Sequence, residues 1–332
     1  MAWRTIAIAF VLACSANTQP AGTDGPPQGD GSIIDALTSE QACAELATDR
    51  CMMLQMCSPS SLERRYSDLG TCETREALAC MQAQDAADTA LTPAQALACG
   101  MAIAANTCDD FLNHPEPAAC LASPGPSSGG CSFSAQCTTT FCAIGAFALC
   151  GQCRDIPQAG TSCATSGCGP TLVCSATQVC AAPGALNAPC DLALPCGGGL
   201  TCVGATNTAK GTCQKEIATL GAACDSTHKT RAGCAVDLGL ACNVATNKCV
   251  NLPLAAAGQP CGVINNVATL CTAGASCKIP ANQQSGTCVA PAADGGACDT
   301  TAGPICLFPA RCIPDGTGTS GTCQFLGSMA CF

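Results

Sequence analysis

Cysteine is the residue type that offers this sequence the widest choice of chemistry. The 332 residues include 35 cysteines, but only two histidines, one tyrosine and one tryptophan. A cysteine can accept a lipid, bind a metal, exchange disulfides or form a structural bridge. Spacing and sequence surroundings decide which chemistry applies at each position.

The first cysteine, Cys14, stands at the end of a short apolar segment. Arg4 precedes a run of about nine apolar or small residues, too short for a membrane-spanning helix, which needs roughly 20. Residues 1–14 therefore have the layout of a secretory signal. The segment 11–14, Val-Leu-Ala-Cys, resembles a bacterial lipobox, which implies a lipid on Cys14. An ordinary signal peptide cut nearby, with Cys14 lost, is the alternative.

Cys150 and Cys153 have the C-x-x-C spacing of a thioredoxin-like redox pair. That chemistry needs the first cysteine at a helix N-terminus, and no βαβ pattern surrounds this pair, so we interpret both cysteines as structural. Zinc sites commonly use two such pairs, and the sequence has one. We therefore predict no bound metal and no cofactor.

The two histidines do not form part of a recognisable catalytic pattern. His114 and His228 both lie in predicted loops, and the sequence has no Gly-x-Ser-x-Gly, Walker or Rossmann motif. We predict no catalytic residues and no enzymatic activity. The net charge of −10 and the lack of a basic patch argue against nucleic-acid binding.

Composition then indicates how the chain is held together. Alanine and cysteine supply much of the 48% hydrophobic content, so one large apolar core is excluded. Beyond Cys14 the remaining 34 cysteines are even in number, as a fully paired framework requires. We predict disulfide-linked domains in an oxidising compartment.

The region before the repeats divides into a tether, a helical domain and a linker. Residues 15–32 form a flexible Gly/Pro-rich tether. Residues 33–122 form an acidic, disulfide-stapled helical bundle with 13 acidic and 4 basic residues. Residues 123–130 form a linker. We interpret the acidic side chains as a solvated face, with a surface for a cation or basic partner as the alternative.

Helices of this bundle are predicted from capping residues, prolines and cysteine spacing. A capping box at Thr92 begins a helix that runs to about Ala105. The other predicted helices are 39–56, 62–66, 72–84 and a short turn from Thr107.

The remainder of the chain is an internal repeat. A variant module, 131–157, contains five cysteines, and residues 158–332 contain five tandem four-cysteine modules. Short Val/Leu/Thr segments between turns predict β-hairpins. One cysteine of the variant module and Cys331 are left over. They either bridge to each other or pair through Cys120. The expected fold class is small and disulfide-rich, a helical bundle followed by an array of hairpin modules.

The cysteine spacing over 160–323 resembles the Dickkopf N-terminal, colipase-like cysteine-rich module. The whole layout looks like that of bacterial Cys-rich lipoproteins from large-genome Gram-negative species. The first resemblance implies interleaved pairing, first cysteine with third and second with fourth. The implied disulfides are Cys163–Cys174, Cys168–Cys180, Cys190–Cys202, Cys196–Cys213, Cys224–Cys242, Cys234–Cys249, Cys261–Cys277, Cys271–Cys288, Cys298–Cys312 and Cys306–Cys323.

The expected function follows from the predicted anchor, tether and array. We expect an exported, membrane-anchored, non-enzymatic scaffold of the cell envelope, as an outer-membrane lipoprotein or at the cell surface. Its partners would be the membrane, through the lipid, and an unknown protein or glycan ligand. If Cys14 is not lipidated, the protein would be secreted. The alternatives are a secreted enzyme or redox protein with an unrecognised site, and a freely secreted inhibitor or toxin-like ligand.

Overall fold

The computed structural model describes most of the chain from residue 37 onward. The described residues are 37–113, 116–121, 123–145, 147–164, 167–169, 171–191, 194–301, 303–327 and 331. The predicted signal 1–14, with Cys14, and the tether 15–32 lie outside these ranges. Within them, no helix combines the length and apolar character needed to span a membrane.

The first part of this structure is helical, as predicted. Its helices are α1 (Ser39–Cys57), α2 (Pro59–Tyr66), α3 (Leu69–Asp85), α4 (Pro93–Ala104) and α5 (Cys108–Asn113), followed by a 3₁₀ turn at Ala118–Cys120. Capping boxes begin two of them, with Thr38 and Gln41 at α1 and Thr92 and Gln95 at α4. These side chains satisfy backbone N–H groups that would otherwise lack partners at the helix start.

Disulfides join the helices to one another. Cys43–Cys80 and Cys51–Cys72 connect α1 to α3, Cys57–Cys108 connects α1 to α5, and Cys99–Cys120 connects α4 to the 3₁₀ turn. The apolar core between the helices is small: Ile103 is fully buried and Phe111 is nearly so. Covalent links therefore supply much of what packing supplies in a larger bundle.

The rest of the described chain consists of short strands. They are β1 (Gly130–Cys131), β2 (Cys142–Ala143), β3 (Gly151–Cys153), β4 (Val173–Cys174), β5 (Cys180–Ala181), β6 (Pro189–Cys190), β7 (Leu200–Val203), β8 (Gly211–Lys215), β9 (Leu240–Asn243), β10 (Lys248–Asn251), β11 (Leu254–Ala255), β12 (Pro260–Ile264), β13 (Val267–Cys271), β14 (Ser276–Lys278), β15 (Ser285–Val289), β16 (Ala297–Asp299), β17 (Arg311–Pro314) and β18 (Ser320–Gln324). Within the described ranges they form six small sheets, one in each module. The predicted fold class is confirmed.

All six modules share one plan. They are the variant module (131–153) and modules 1 to 5 (163–180, 190–213, 224–249, 261–288 and 298–323). In each, the strand with the last cysteine pairs antiparallel with the strand of the third cysteine, and these two cysteines lie opposite each other. In four modules the strand of the first cysteine pairs with the other edge of the last strand.

Before each of five modules, a short segment of chain pairs with the second cysteine of that module. The parallel pairs are Ser127 with Cys137, Gly184 with Cys196, Ile217 with Cys234, Ala255 with Cys271, and Ala292 with Cys306. The predicted linker 123–130 is thus held against the variant module, where Gly125 N–H also donates to Cys137 O at 2.9 Å.

Helix α2 docks a module at each of its ends. At its start, Ser58 and Ser61 hydroxyls donate to one carboxylate oxygen of Asp237 in module 3, at 2.5 and 3.0 Å. At its end, the carbonyls of Glu63 and Arg64 accept from two backbone N–H groups of module 4, at 2.9 and 2.7 Å. The last carbonyls of a helix lack donors within the helix, so module 4 supplies one for Arg64, whereas Glu63 O also accepts from Ser67 N–H at 3.1 Å.

Module 5 and the variant module contact α3 and the loop after it. Arg75 of α3 forms a two-point ion pair with Asp294, at 2.6 and 2.8 Å. Ala90 N–H, after α3, donates to Ala135 O in the variant module at 2.8 Å. The described helices and modules accordingly belong to one compact unit.

The last described residue returns to the start of the array. Cys331 is bonded to Cys150 in the variant module across a separation of 181 residues. Its sulfur lies 3.0 Å from the Ser132 hydroxyl, and Ser132 is buried. The two cysteines that the repeat left over therefore bridge to each other, and Cys120 pairs with Cys99 instead.

Candidate functional site

A deep cleft lies between the helices and modules 1 to 3. We call it the α5 cleft, and its volume is about 770 Å³. One wall consists of the end of α1 and most of α5. The other wall comes from modules 2 and 3, from the segment between modules 1 and 2, and from Thr171 of module 1.

Three glycines in a row allow the module 2 wall to contact α5 directly. A side chain at Gly197 would meet the Asn113 side-chain oxygen at 2.4 Å, and one at Gly198 would meet Leu112 O at 2.7 Å. Gly199 has φ of +68°, which other residues rarely adopt. With no side chains in the way, Gly198 N–H donates to Asn113 Oδ1 at 2.5 Å.

Disulfides fix both walls. Cys57–Cys108 joins the end of α1 to α5. Cys196–Cys213 spans module 2, and Gly184 packs so closely there that a Cβ would lie 2.6 Å from the Cys213 sulfur. The shape of the cleft is therefore held by covalent bonds on each side, which lowers the entropy that a ligand must remove on binding.

Apolar side chains line the α5 cleft without being covered. Met56 is 61% exposed, Leu238 is 47% exposed and Leu186 is 45% exposed. Leu112 and Leu200 line the same space and are half-buried. Exposed apolar side chains gathered in one concave surface, unlike scattered ones, are typical of binding sites.

The polar lining of the cleft is mainly acidic. Its charged residues are Asp109, Asp110, Glu216, Asp237 and Lys215. Four carboxylates face one ammonium group, which gives a net charge of −3. Two of these acids belong to the helical domain, Asp237 belongs to module 3 and Glu216 to the segment between modules 2 and 3, so the fold combines charges that are far apart in sequence.

The surroundings of Glu216 act on its carboxylate. It is half-buried, and its carboxylate accepts from the Thr201 hydroxyl at 3.2 Å. Burial raises the pKa of Glu216; the Thr201 hydrogen bond opposes the rise, and the Asp237 charge adds to it. A cation placed beside Glu216 would offset both unfavourable effects by favouring the ionised carboxylate.

The structure pairs every cysteine from Cys43 to Cys331. In modules 1 to 5 the ten bonded pairs are those that the colipase-like resemblance implies, and the variant module has the same order, Cys131–Cys142 and Cys137–Cys153. Groups of three cysteine sulfurs lie within 4.8 Å of one another, but these sulfurs are in disulfides. A disulfide sulfur lacks the thiolate that a metal requires.

Cys150, Cys153 and His228, which the sequence also singles out, are not among the residues that line the cleft. Cys150 and Cys153 are not bonded to each other, because Cys153 pairs with Cys137 and Cys150 with Cys331. His228 lies in a loop of module 3 beside Gly233. His114 and Cys14 lie outside the described residues.

The cleft residues were not identified from the sequence. Met56 is on a helix, whereas Leu186 and Leu238 are single leucines in loops, with no periodicity that would mark a shared surface. The one local signal was the run of three glycines at 197–199, which indicates close backbone approach without saying to what.

No protein-family model, curated protein or solved structure matches this chain. The resemblance to colipase-like modules stays a prediction based on cysteine spacing.

Proposed function

We propose that this protein is an exported, lipid-anchored binding protein of the bacterial cell envelope, without catalytic activity. Its disulfide framework would act as a rigid support for one recognition surface. The observation that carries the proposal is the α5 cleft, where apolar side chains remain exposed between walls fixed by disulfides. Ligand pockets typically combine such an apolar lining with a few polar groups.

Oxidation of the cysteines supports binding over redox chemistry. A redox site needs an accessible thiolate, and the 34 cysteines of the described ranges are all in disulfides. Among the described residues that line the cleft there is no histidine to act as a general base.

The anchor is tested by changing the lipobox cysteine. The full chain is expressed in a Gram-negative host with labelled palmitate, as wild type, as Cys14→Ser and as the neighbouring control Ser15→Ala. We expect label and membrane fractionation for the wild type and the control, and loss of both for Cys14→Ser. Equal, unlabelled and soluble behaviour of all three would contradict the anchor.

The scaffold role is tested separately by titrating thiols in the purified native protein. A disulfide scaffold should show almost no reaction with Ellman's reagent before denaturation and reduction. One or more rapidly reacting thiols would instead support a redox protein. Mass spectrometry of the mature N-terminus distinguishes the anchored form from a freely secreted ligand.

A further inference from the structure

The size and the lining of the α5 cleft indicate which class of ligand it would bind. Its volume of about 770 Å³ lies within the range of about 300–1,000 Å³ that is typical of small-molecule sites. A standard protein interface buries about 800 Å² on each partner, usually over a broad surface rather than in a cleft. The dimensions therefore favour a small ligand.

The acidic groups of the cleft are not neutralised by the protein. In the described ranges, ion pairs involve Arg50 and Arg75, and neither of these contacts the cleft acids. Asp237 accepts hydrogen bonds from two serine hydroxyls, and Glu216 from one threonine hydroxyl. These neutral donors leave the negative charge uncompensated.

We propose that the α5 cleft binds a small organic cation with an apolar body, such as an alkylammonium compound. The cationic head would lie at Glu216 and Asp237, and the apolar body would cover Met56, Leu186 and Leu238. This inference rests on the proposed binding function and names the ligand class for the same cleft.

Charge complementarity is the reason for choosing a cation. An anionic amphiphile would gain the same apolar contacts but would face a net charge of −3. A neutral one would leave Glu216 beside Asp237 without a counter-ion. A charge-assisted hydrogen bond from an ammonium group to a half-buried carboxylate is about twice as strong as a neutral one.

The test uses matched ligands on the oxidised, purified chain. Calorimetry compares decylammonium, decanoate and a neutral decyl compound, each below its micelle-forming concentration. Because the three share one apolar chain, their affinities separate the charge contribution from apolar burial. We expect the cation to bind about tenfold or more tightly than decanoate. Equal affinities, or tighter binding of decanoate, would overturn the proposal.

Two pairs of variants place the binding in this cleft. Glu216→Gln should weaken cation binding about tenfold and leave decanoate binding unchanged or improved. Glu73→Gln, which changes a half-buried acid of α3 outside the cleft, is its control. Leu238→Ser should weaken all three ligands, whereas Leu220→Ser, at a leucine 59% exposed elsewhere, should not.

Retained protease resistance shows that each variant is folded. If Glu216→Gln and Glu73→Gln have the same affinity as the wild type, the cation site is not here. The palmitate experiment is independent of these results. If the protein is labelled and membrane-bound but does not bind the cation, the proposal of an anchored binding protein still stands. Only this ligand class is then excluded.

Discussion

At the scale of single residues, the module plan depends on a glycine that stands two residues before the last cysteine. It lies opposite the first cysteine in four modules, as Gly151, Gly211, Gly286 and Gly321. A Cβ at any of them would meet a backbone carbonyl oxygen of the adjacent strand segment at 1.9–2.3 Å. The repeated Gly-x-Cys motif therefore reflects close approach of two backbones.

Replacing such a glycine should destabilise its module. For Gly286→Ala, the new methyl group would lie 1.9 Å from Lys278 O, so strands β14 and β15 must separate. We expect a loss of about 1–3 kcal/mol in the free energy of unfolding, measured by denaturant titration. The control is Gly129→Ala, where nothing lies within 4 Å; an equal effect there would contradict this explanation.

Arg75 is the side chain that links α3 to module 5 most extensively. Besides its ion pair with Asp294, it donates to Leu307 O at 3.0 Å and lies 5.9 Å from the centre of the Phe325 ring. Only 11% of its side chain is exposed. Because the guanidinium fork makes several contacts at once, a lysine cannot replace it.

Arg75→Ala should cost about 2 kcal/mol at pH 7, and Arg75→Lys should restore only part of this. Hydrogen bonding to Arg75 lowers the pKa of Asp294 despite opposition from its partial burial. The contribution of the pair is therefore present above the unfolded pKa, about 3.9, and is lost as pH falls through the lower folded value. The stability difference between wild type and Arg75→Ala should thus narrow as pH falls below about 4, leaving the part that comes from the Leu307 and Phe325 contacts. A pH-independent difference would contradict the ion pair.

At the scale of elements, the start of a helix was predictable where a capping box marked it, whereas α2 and α3 begin three residues before their predicted starts. The capping box at Thr92 and the proline after it gave the start of α4 from neighbouring residues alone. The predicted short helix 62–66 begins earlier in the structure, at Pro59. This proline follows the end of α1 and is also the first residue of α2. Local signals of this kind need no knowledge of the rest of the fold.

Thr92→Ala tests one of these starts. The change removes the hydroxyl that accepts from Gln95 N–H at 3.3 Å, and we expect a loss of about 1 kcal/mol in stability. Thr92→Ser, which keeps the hydroxyl, is the control. Hydrogen exchange should accelerate in the first turn of α4 only for the alanine variant, and uniform exchange in both variants would argue against the cap.

Contacts between the helices and the modules could not be predicted in the same way. Ser58 and Asp237, for example, are 179 residues apart, and neither residue type identifies the other as its partner. The same reasoning applies to the α5 cleft, whose acids come from α5, from module 3 and from the segment before module 3. Cysteine spacing gave the modules one by one, but it contained no information about what each module packs against.

At the scale of the whole molecule, the Cys150–Cys331 disulfide fixes the end of the array to its beginning. The sequence left the partner of Cys331 open. A bridge to the variant module and pairing through Cys120 agreed equally well with an odd cysteine in that module. The hairpins of modules 1 to 4 each have two disulfides of their own. The bridge should therefore control the docking of the chain end without controlling the folding of each hairpin.

Replacing Cys150 and Cys331 by serine tests whether the bridge controls the docking of the chain end but not the folding of the hairpins. We expect faster hydrogen exchange around Leu149 and the chain end, unchanged exchange in modules 2 and 3, and a stability loss of at most about 5 kcal/mol. The comparison variant, Cys196→Ser with Cys213→Ser, should instead disturb module 2. Exchange that rises throughout the array in the first variant would show that the hairpins depend on the bridge.

The order of the disulfides also determines what a single proteolytic cut can release. The bridges overlap without a gap from Cys43 to Cys120, and again from Cys131 to Cys331. One nick inside either stretch leaves a single covalent molecule until a reductant is added. Between Cys120 and Cys131 the peptide backbone alone joins the two parts, so within Cys43 to Cys331 only a nick there yields two fragments on a non-reducing denaturing gel.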